Sequence, residues 1–243
     1  MGYQWGTFSS IARDGNWESL SSAPFSYAAT HMNATQRTYQ TLLDQIVSRR
    51  IPAGEVLEER RLADELEVSR TPLRAAMNRL LGEGMLERLS NGSIVVRSFG
   101  VTDLLELLQI RSLLESEAAA MATSRIPAEP LEGLRARLQA MLDAKTPDEK
   151  SDWEVDNALH DLVAAYCGNR NLASMITAAR RQVRMCDVER LPQRQVQARE
   201  EHLAIIEALL SGDAARARQA MAGHLENVRR SYVNSLGYLS HGA

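Results

Sequence analysis

Three histidines and one aspartate are the side chains of this 243-residue chain best suited to chemistry. Asp156 and His160 are four residues apart, so on a helix the carboxylate and the imidazole lie on one face. His202 lies ten residues before Gly212, and His224 lies twelve residues after it. If two helices fold back on each other at that glycine, the two histidines reach similar heights. Side chains on facing helices could then converge inside a bundle.

Three neutral imidazoles and one carboxylate suit a divalent ion such as Zn, Ni, Fe or Mn, with Zn slightly preferred. Four such ligands can complete a tetrahedron, and a carboxylate also permits octahedral coordination with added oxygens. An Asp-x-x-x-His pair is also common as a surface hydrogen bond, so the spacing alone leaves both interpretations open. The neighbouring Ala158, Leu159, Leu162 and Val163 favour an apolar setting for Asp156 and His160.

The elements that must position these residues are predicted to be helices joined by short breaks. Short connections between successive helices are typical of an antiparallel bundle. We therefore assign residues 101–234 to an all-helical domain of about six helices and residues 235–243 to a C-terminal tail. Apolar periodicity with proline and glycine breaks places the helices at roughly 102–124, 128–145, 149–167, 170–186, 194–211 and 213–234.

Residues 35–97 show a different pattern, three helices followed by a β-hairpin. Asn91-Gly92 between two apolar runs is a strong hairpin signal. This order predicts a winged helix-turn-helix, and a generic three-helix scaffold with an appended hairpin is the alternative. The predicted elements are a helix from Thr35 to a break at 51–54, helices at Glu58–Leu66 and Ser69–Gly84 with Ser69 as N-cap, and extended segments at Met85–Leu89 and Ser93–Val96.

Composition limits the remaining possibilities. The net charge is −3 and 44% of the residues are hydrophobic, which is typical of a globular protein. No apolar run approaches the ~18 residues that span a bilayer, and the first residues do not resemble a secretory signal, so we expect a cytoplasmic protein without membrane contact. Residues 1–34 lack apolar periodicity and are interpreted as a flexible arm. Cys167 and Cys186 lie outside CxxC spacing and are expected to be buried, reduced thiols.

The ordered combination of motifs resembles transcription regulators of the GntR family that carry an FCD (FadR C-terminal) domain. The resemblance covers about residues 35–233. The DNA-binding half is matched by Ile51-Pro-Ala-Gly-Glu, by the run from Leu62 to Arg74 and by Arg79-Leu-Leu-Gly-Glu-Gly-Met-Leu; the FCD half is matched by Arg111-Ser-Leu-Leu-Glu115, Asp156-x-x-x-His160, Glu201-His202, Gly212-Asp213 and Met221-x-x-His224.

The resemblance implies a homodimer that binds double-stranded operator DNA, most often as a repressor, and responds to a small organic acid in its C-terminal domain. It also implies one divalent metal ion per chain, because Asp156, His160, His202 and His224 occupy the family's ligand positions. Arg111 matches a position that often supports the effector carboxylate. A salt bridge from Arg111 to Glu115, one turn further along, is an equal alternative.

The family's DNA-contact motif also carries over, and the residue types alone support it. The start of the third helix is where a recognition helix meets base edges in the major groove, and arginine can pair bidentately with guanine. Hydroxyls at a helix N-terminus can anchor phosphates, and a glycine lets the wing backbone approach the sugar-phosphate chain. The resemblance implies DNA contacts from Arg60, Ser69, Arg70, Arg74 and Gly92, and the hydroxyl of Thr71 adds an expected phosphate contact.

Two other functions compete with an acid-responsive regulator. In a metal-responsive regulator the ion itself would be the signal. In a metal-dependent hydrolase the ion would activate water, which requires a nearby general base. Glu154 and Glu201 are both expected to point away from the ligands on their helices, so we expect no enzyme activity.

Overall fold

The computed structural model describes residues 33–144, 149–186 and 191–240, with backbone alone at 192 and 236–240. The predicted arm at 1–34 therefore lies almost entirely outside the described residues. The chain divides between Ser98 and Phe99 into two compact units. Among the described helices, none has the length and apolarity needed to cross a membrane.

The N-terminal unit is built on a three-helix core. Asn33 caps the first helix through its side chain, which accepts a hydrogen bond from the Gln36 amide at 2.8 Å. The apolar faces of the first and third helices pack together, and Leu42, Leu73 and Leu80 are completely buried between them. The elements are α1 (Ala34–Val47), α2 (Glu59–Glu65), α3 (Arg70–Gly82), β1 (Leu86–Arg88) and β2 (Ile94–Val96).

The two strands form the predicted antiparallel hairpin, in the register Leu86–Val96, Glu87–Val95 and Arg88–Ile94. Val56 adds an isolated antiparallel bridge to Val95, which the sequence pattern did not predict. The winged helix-turn-helix is confirmed, with shorter strands than expected. The predicted extent of the first helix was wrong, because α1 ends at Val47 and Arg49 takes a left-handed conformation with φ of 58°.

The C-terminal unit confirms the predicted helical bundle. A short 3-10 helix at Pro192–Arg194 precedes the fifth of its long helices. The last helix runs six residues past its predicted end at 234, because the single Gly237 costs only about 1 kcal/mol and does not stop a helix. The long helices are α4 (Val101–Ala122), α5 (Ala128–Ala144), α6 (Glu149–Tyr166), α7 (Arg170–Met185), α8 (Gln195–Leu210) and α9 (Ala214–Ser240).

Helix α4 contacts four other helices of the bundle, namely α6, α7, α8 and α9. Its Ala118, Ala119 and Ala122 are buried, and these small side chains allow a neighbouring helix to approach closely. Cys167 and Cys186 are both buried, and neither is part of a disulfide in the described chain, as predicted. Helices α6, α8 and α9, which carry the predicted ligands, are thus assembled around one central helix.

Candidate metal centre and nucleic-acid interface

All four predicted metal ligands meet in the bundle. Helix α6 supplies Asp156 and His160, α8 supplies His202, and α9 supplies His224. One ligand atom from each residue lies within 4.8 Å of the others. The three histidines are buried, whereas the Asp156 side chain is 30% exposed. The cluster is therefore closed on its histidine side and reaches solvent beside Asp156.

Local structure explains why these side chains converge. Asp156 and His160 are one turn apart on α6, as their spacing predicted. Helices α8 and α9 fold back on each other through a turn in which Gly212 has φ of 74°, a conformation that glycine adopts without strain. The turn brings the imidazole centroids of His202 and His224 to 4.5 Å. The turn therefore places these two imidazoles side by side on facing helices.

The free ring nitrogens of the cluster fit a bound cation. The Nε2 atoms of His160 and His202 are buried and have no hydrogen-bond partner among the described residues. Their distances to Asp156 Oδ1, 3.6 and 3.5 Å, are too long for hydrogen bonds. Leaving a buried polar group unsatisfied costs roughly 1–3 kcal/mol, and coordination to a metal would satisfy both nitrogens. The donor set thus suits the divalent ions that the sequence suggested.

Two glutamates hold the other ring nitrogens of the histidines. Glu115 on α4 hydrogen-bonds His160 Nδ1, and Glu201 on α8 hydrogen-bonds His224 Nδ1 at 2.8 Å. When Nδ1 donates to a carboxylate, the lone pair of Nε2 faces the site, and this orientation is typical of metal-binding histidines. The two carboxylates therefore fix the ring orientation that coordination requires.

The prediction that Glu201 points away from the ligands was wrong. The Glu201 side chain extends from α8 to α9, where its carboxylate forms a hydrogen bond with His224 and not with its sequence neighbour His202. Arg194 and Asn227 hold its carboxylate at 2.6 and 2.9 Å. The sequence could not show this contact because it depends on the packing of α9 against α8.

The charges of the cluster are those of a site ready for metal. Burial lowers the pKa of His160 and His224, and it lowers the pKa of His202 to about 3. The pKa of Asp156 is well below its usual value although burial alone would raise it, and near neutral pH the positive charge in direct contact with it is that of Arg180. Near neutral pH the imidazoles are therefore neutral and the carboxylate is charged, which are the forms that bind metal.

Arg111 forms the ion pair that was one of its two predicted roles. Its Nε lies 2.6 Å from Glu115 Oε1, and both side chains are buried. Burial would raise the pKa of Glu115, yet Arg111 and then His160 outweigh it and the pKa is strongly lowered. Arg111 thus supports His160 through a charged Glu115.

Arg180 on α7 was not predicted, and it contacts Asp156, the carboxylate among the four ligands. Its Nη2 lies 3.3 Å from Asp156 Oδ2 and 2.9 Å from Asn157 Oδ1. The side chain is only 5% exposed. The sequence pattern that could have indicated this contact is an arginine on the apolar face of an amphipathic helix, because a buried guanidinium requires a partner.

The predicted DNA contacts lie on the surface of the N-terminal unit. On α3 the Arg70, Thr71 and Arg74 side chains are exposed, while Leu73 and Met77 face the core. Arg60 on α2 and Ser69 are also exposed. Ser69 occupies the N-cap position, but its side chain makes no capping hydrogen bond. The outer face of α3 is therefore basic and polar, as a recognition helix requires.

Two contacts shape this surface further. Arg74 Nε lies 2.6 Å from Glu59 Oε2 on α2, so an acid from the preceding helix orients this arginine. In the wing, Gly92 has φ of 87° and its carbonyl accepts a hydrogen bond from Arg88 Nη1 at 3.1 Å. Arg88 was not predicted, and it adds a positive charge beside the wing turn.

Comparison with known families assigns both units. The family described as "Bacterial regulatory proteins, gntR family" matches residues 34–96, and the "FCD domain" family matches residues 106–227, half of the chain. The chain belongs to the GntR family of regulators with an FCD domain. It is therefore a DNA-binding transcriptional regulator of the GntR/FCD type.

Named relatives agree with this assignment. The "Nta operon transcriptional regulator" of Aminobacter aminovorans is 29% identical over 138 residues, 57% of this chain and just under two thirds (66%) of that relative. The "Probable D-xylose utilization operon transcriptional repressor" of Paenarthrobacter nicotinovorans is 26% identical over 200 residues, 81% of this chain and 87% of that relative. The structure of E. coli McbR/YncC shares the fold, with a TM-score of 0.65, 21% identity and coverage of 84% of this chain and 99% of that one. The first two relatives are named as transcriptional regulators.

Proposed function

We propose that this GntR/FCD regulator is a repressor whose operator binding is controlled by a small organic acid held at a metal site in its bundle. The observation that carries the proposal is the convergence of four ligand atoms within 4.8 Å, two of them buried nitrogens without a hydrogen-bond partner in the described residues. Repression is supported by the name of the D-xylose relative.

One divalent ion per chain, Zn, Ni, Fe or Mn, would be held by Asp156, His160, His202 and His224. Such an ion supplies a Lewis-acidic position that a carboxylate can occupy. The protein's own contribution is orientation, because Glu115 and Glu201 direct the two histidine rings. Burial of the histidines keeps them neutral and available at the pH of the cell.

The effector is proposed to be a carboxylate that reaches the site from the exposed side of Asp156. Arg111 uses its Nε to hold Glu115, so its contact with the effector would come from its terminal nitrogens. A guanidinium and a carboxylate form strong, directional hydrogen bonds. Arg111 would thus serve both as support for His160 and as a recognition group.

Operator recognition is proposed to use two copies of α3 in a homodimer. A dimer presents its recognition helices to two half-sites one helical turn apart, or a multiple of that distance. Arg70 and Arg74 would read base edges, while Ser69 and Thr71 would contact phosphates through their hydroxyls. Arg60 and the Gly92 turn of the wing would add contacts to the backbone.

Elemental analysis of the purified full-length protein tests the metal site. We expect about one divalent ion per chain in the wild type and none in the double variant His202→Ala/His224→Ala, because two ligands cannot hold the ion tightly. Glu207→Gln is the matched control, since this exposed α8 side chain faces away from the cluster. Full metal content in the double variant would exclude the site.

Fluorescence anisotropy on operator DNA then tests the response. The metal-loaded protein should change its affinity for the operator when organic acids are added, and the metal-stripped protein should not respond to the same acids. A switch produced by substoichiometric metal with no acid present would instead favour a metal-responsive regulator. No response to either would contradict regulation through this site.

A further inference from the structure

Two arginines one turn apart on α7 meet at a single neutral acceptor beside the metal cluster. Arg180 and Arg184 both hydrogen-bond Asn157 Oδ1 through Nη2. Arg184 also lies over the Trp153 ring, with its guanidinium carbon 4.8 Å from the centroid. Burial and then the charge of Arg180 lower the pKa of Arg184, so the two cations repel each other at this position. The amide that they share brings no charge of its own.

Arg180 is also incompletely satisfied. Its Nε is buried and has no hydrogen-bond partner in the part of the chain that the structure describes. The Asp161 carboxylate oxygen is 3.6 Å from this nitrogen, too far for a hydrogen bond, and the Asp161 side chain is 59% exposed. Leaving a donor of a buried guanidinium unsatisfied costs free energy, and a carboxylate placed beside this nitrogen would satisfy it.

Without a metal ion, the negative and positive charges of the side chains linked to the cluster are equal in number. Ion pairs and hydrogen bonds connect equal numbers of carboxylates and guanidiniums to the four ligands, and the histidines are neutral. A divalent ion adds two positive charges that no described side chain in this network offsets. The linked groups are Glu115, Asp156, Asp161 and Glu201 on one side and Arg111, Arg180, Arg184 and Arg194 on the other.

We propose that the effector is a dicarboxylate, with one carboxylate at the metal and Arg111 and the second carboxylate held by Arg180 and Arg184. This inference rests on the proposed function of the metal site. Two negative charges offset the two charges that the ion brings. Two adjacent guanidiniums also supply donors for both oxygens of a carboxylate, whereas a neutral or hydroxylated tail would accept weaker hydrogen bonds and bring no charge.

The exposed edge of the cluster lies beside this arginine pair. Asp156 is the exposed member of the ligand set, and Arg180 contacts that residue directly. Arg184 lies one turn further along α7 and is half-buried. The second carboxylate would therefore bind between the metal cluster and the solvent-facing end of the arginine pair.

Isothermal titration calorimetry on the zinc-loaded full-length protein tests the proposal. The probes are malonate, succinate and glutarate, each compared with its own monoamide, which keeps the length and removes one charge. We expect at least one diacid to bind about tenfold or more tightly than its monoamide, the effect of a charge-assisted hydrogen bond. Arg184→Gln should abolish this preference, because it weakens the binding of the diacids much more than that of the monoamides, while the zinc content stays at the wild-type value.

Arg170→Gln is the matched control, since it removes an exposed charge from the start of the same helix. It should retain the diacid preference. Equal affinities for diacids and monoamides in the wild type, or equal weakening of both by Arg184→Gln, would overturn the dicarboxylate assignment and leave the acid-responsive site standing. Failure of every acid to bind the zinc-loaded protein would overturn both.

Discussion

Arg74 and Arg111 are each paired with a glutamate at 2.6 Å, but the two pairs lie in opposite environments. The Arg74 side chain is 60% exposed, whereas Arg111 is 9% exposed and its partner Glu115 is completely buried. Exposed ion pairs contribute about 0–1 kcal/mol to stability, whereas removing one partner of a buried pair costs about 3–5 kcal/mol. Arg74 is therefore accessible to an external partner, while Arg111 and Glu115 form part of the buried surroundings of the metal cluster.

The largest expected effect is in the bundle. Glu115→Gln leaves Arg111 buried without a counter-charge, and we expect the free energy of unfolding of the metal-stripped protein to fall by about 3–5 kcal/mol. Urea denaturation measures this change. Glu117→Gln, on the same helix, breaks an exposed pair with Arg218 and should cost no more than about 1 kcal/mol. Similar losses in both variants would remove the distinction between the two environments.

The recognition helix should show the opposite behaviour. Arg70→Ala and Arg74→Ala should each weaken specific operator binding by about 1–3 kcal/mol per lost base contact, with the unfolding temperature almost unchanged. Anisotropy titrations at fixed salt measure the affinity. Arg135→Ala, which removes an exposed arginine from α5, controls for net charge. Unaltered operator affinity in both α3 variants would exclude the major-groove assignment.

Acid should destabilise the metal-stripped bundle. The pKa of His202 is about 3 in the fold and about 6.5 in the unfolded chain, so between these values the unfolded chain binds more protons. Stability is therefore complete above about pH 6.5 and falls as the pH decreases, by about 1.4 kcal/mol per pH unit for this residue. Denaturation at pH 7, 6 and 5 measures the slope.

His202→Ala should reduce the slope of stability against pH by the contribution of this one histidine. Residues 35–97 contain no histidine, so the winged unit contributes no such titration. An unchanged slope in His202→Ala would place the pH dependence elsewhere.

The smallest effect concerns the wing. Gly92→Ala places a side chain at φ of 87° and should cost roughly 1–2 kcal/mol, through backbone strain rather than a clash, because no atom lies within 4 Å of the added Cβ. Gly82→Ala is the matched control at the end of α3, where the same change should be neutral or stabilising. Thermal unfolding compares the two; equal losses would contradict a conformational role for Gly92.

Much of the candidate site was predictable from local spacing. Asp156 and His160 are one turn apart on any helix, and a turn at Gly212 aligns His202 with His224. The partners of these ligands were not predictable in this way. Glu115 lies 45 residues before His160, and Arg180 lies 24 residues after Asp156, on separate helices.

The sequence by itself determined the elements: a winged helix-turn-helix, a helical bundle and the side chains that could bind metal. It did so because helix periodicity, caps and turns depend on neighbours within a few residues. Only the tertiary structure decided that Glu201 supports His224, that Glu59 orients Arg74 and that two arginines flank the ligands. These contacts depend on how helices pack, and packing depends on the shapes and charges of residues far apart in the chain.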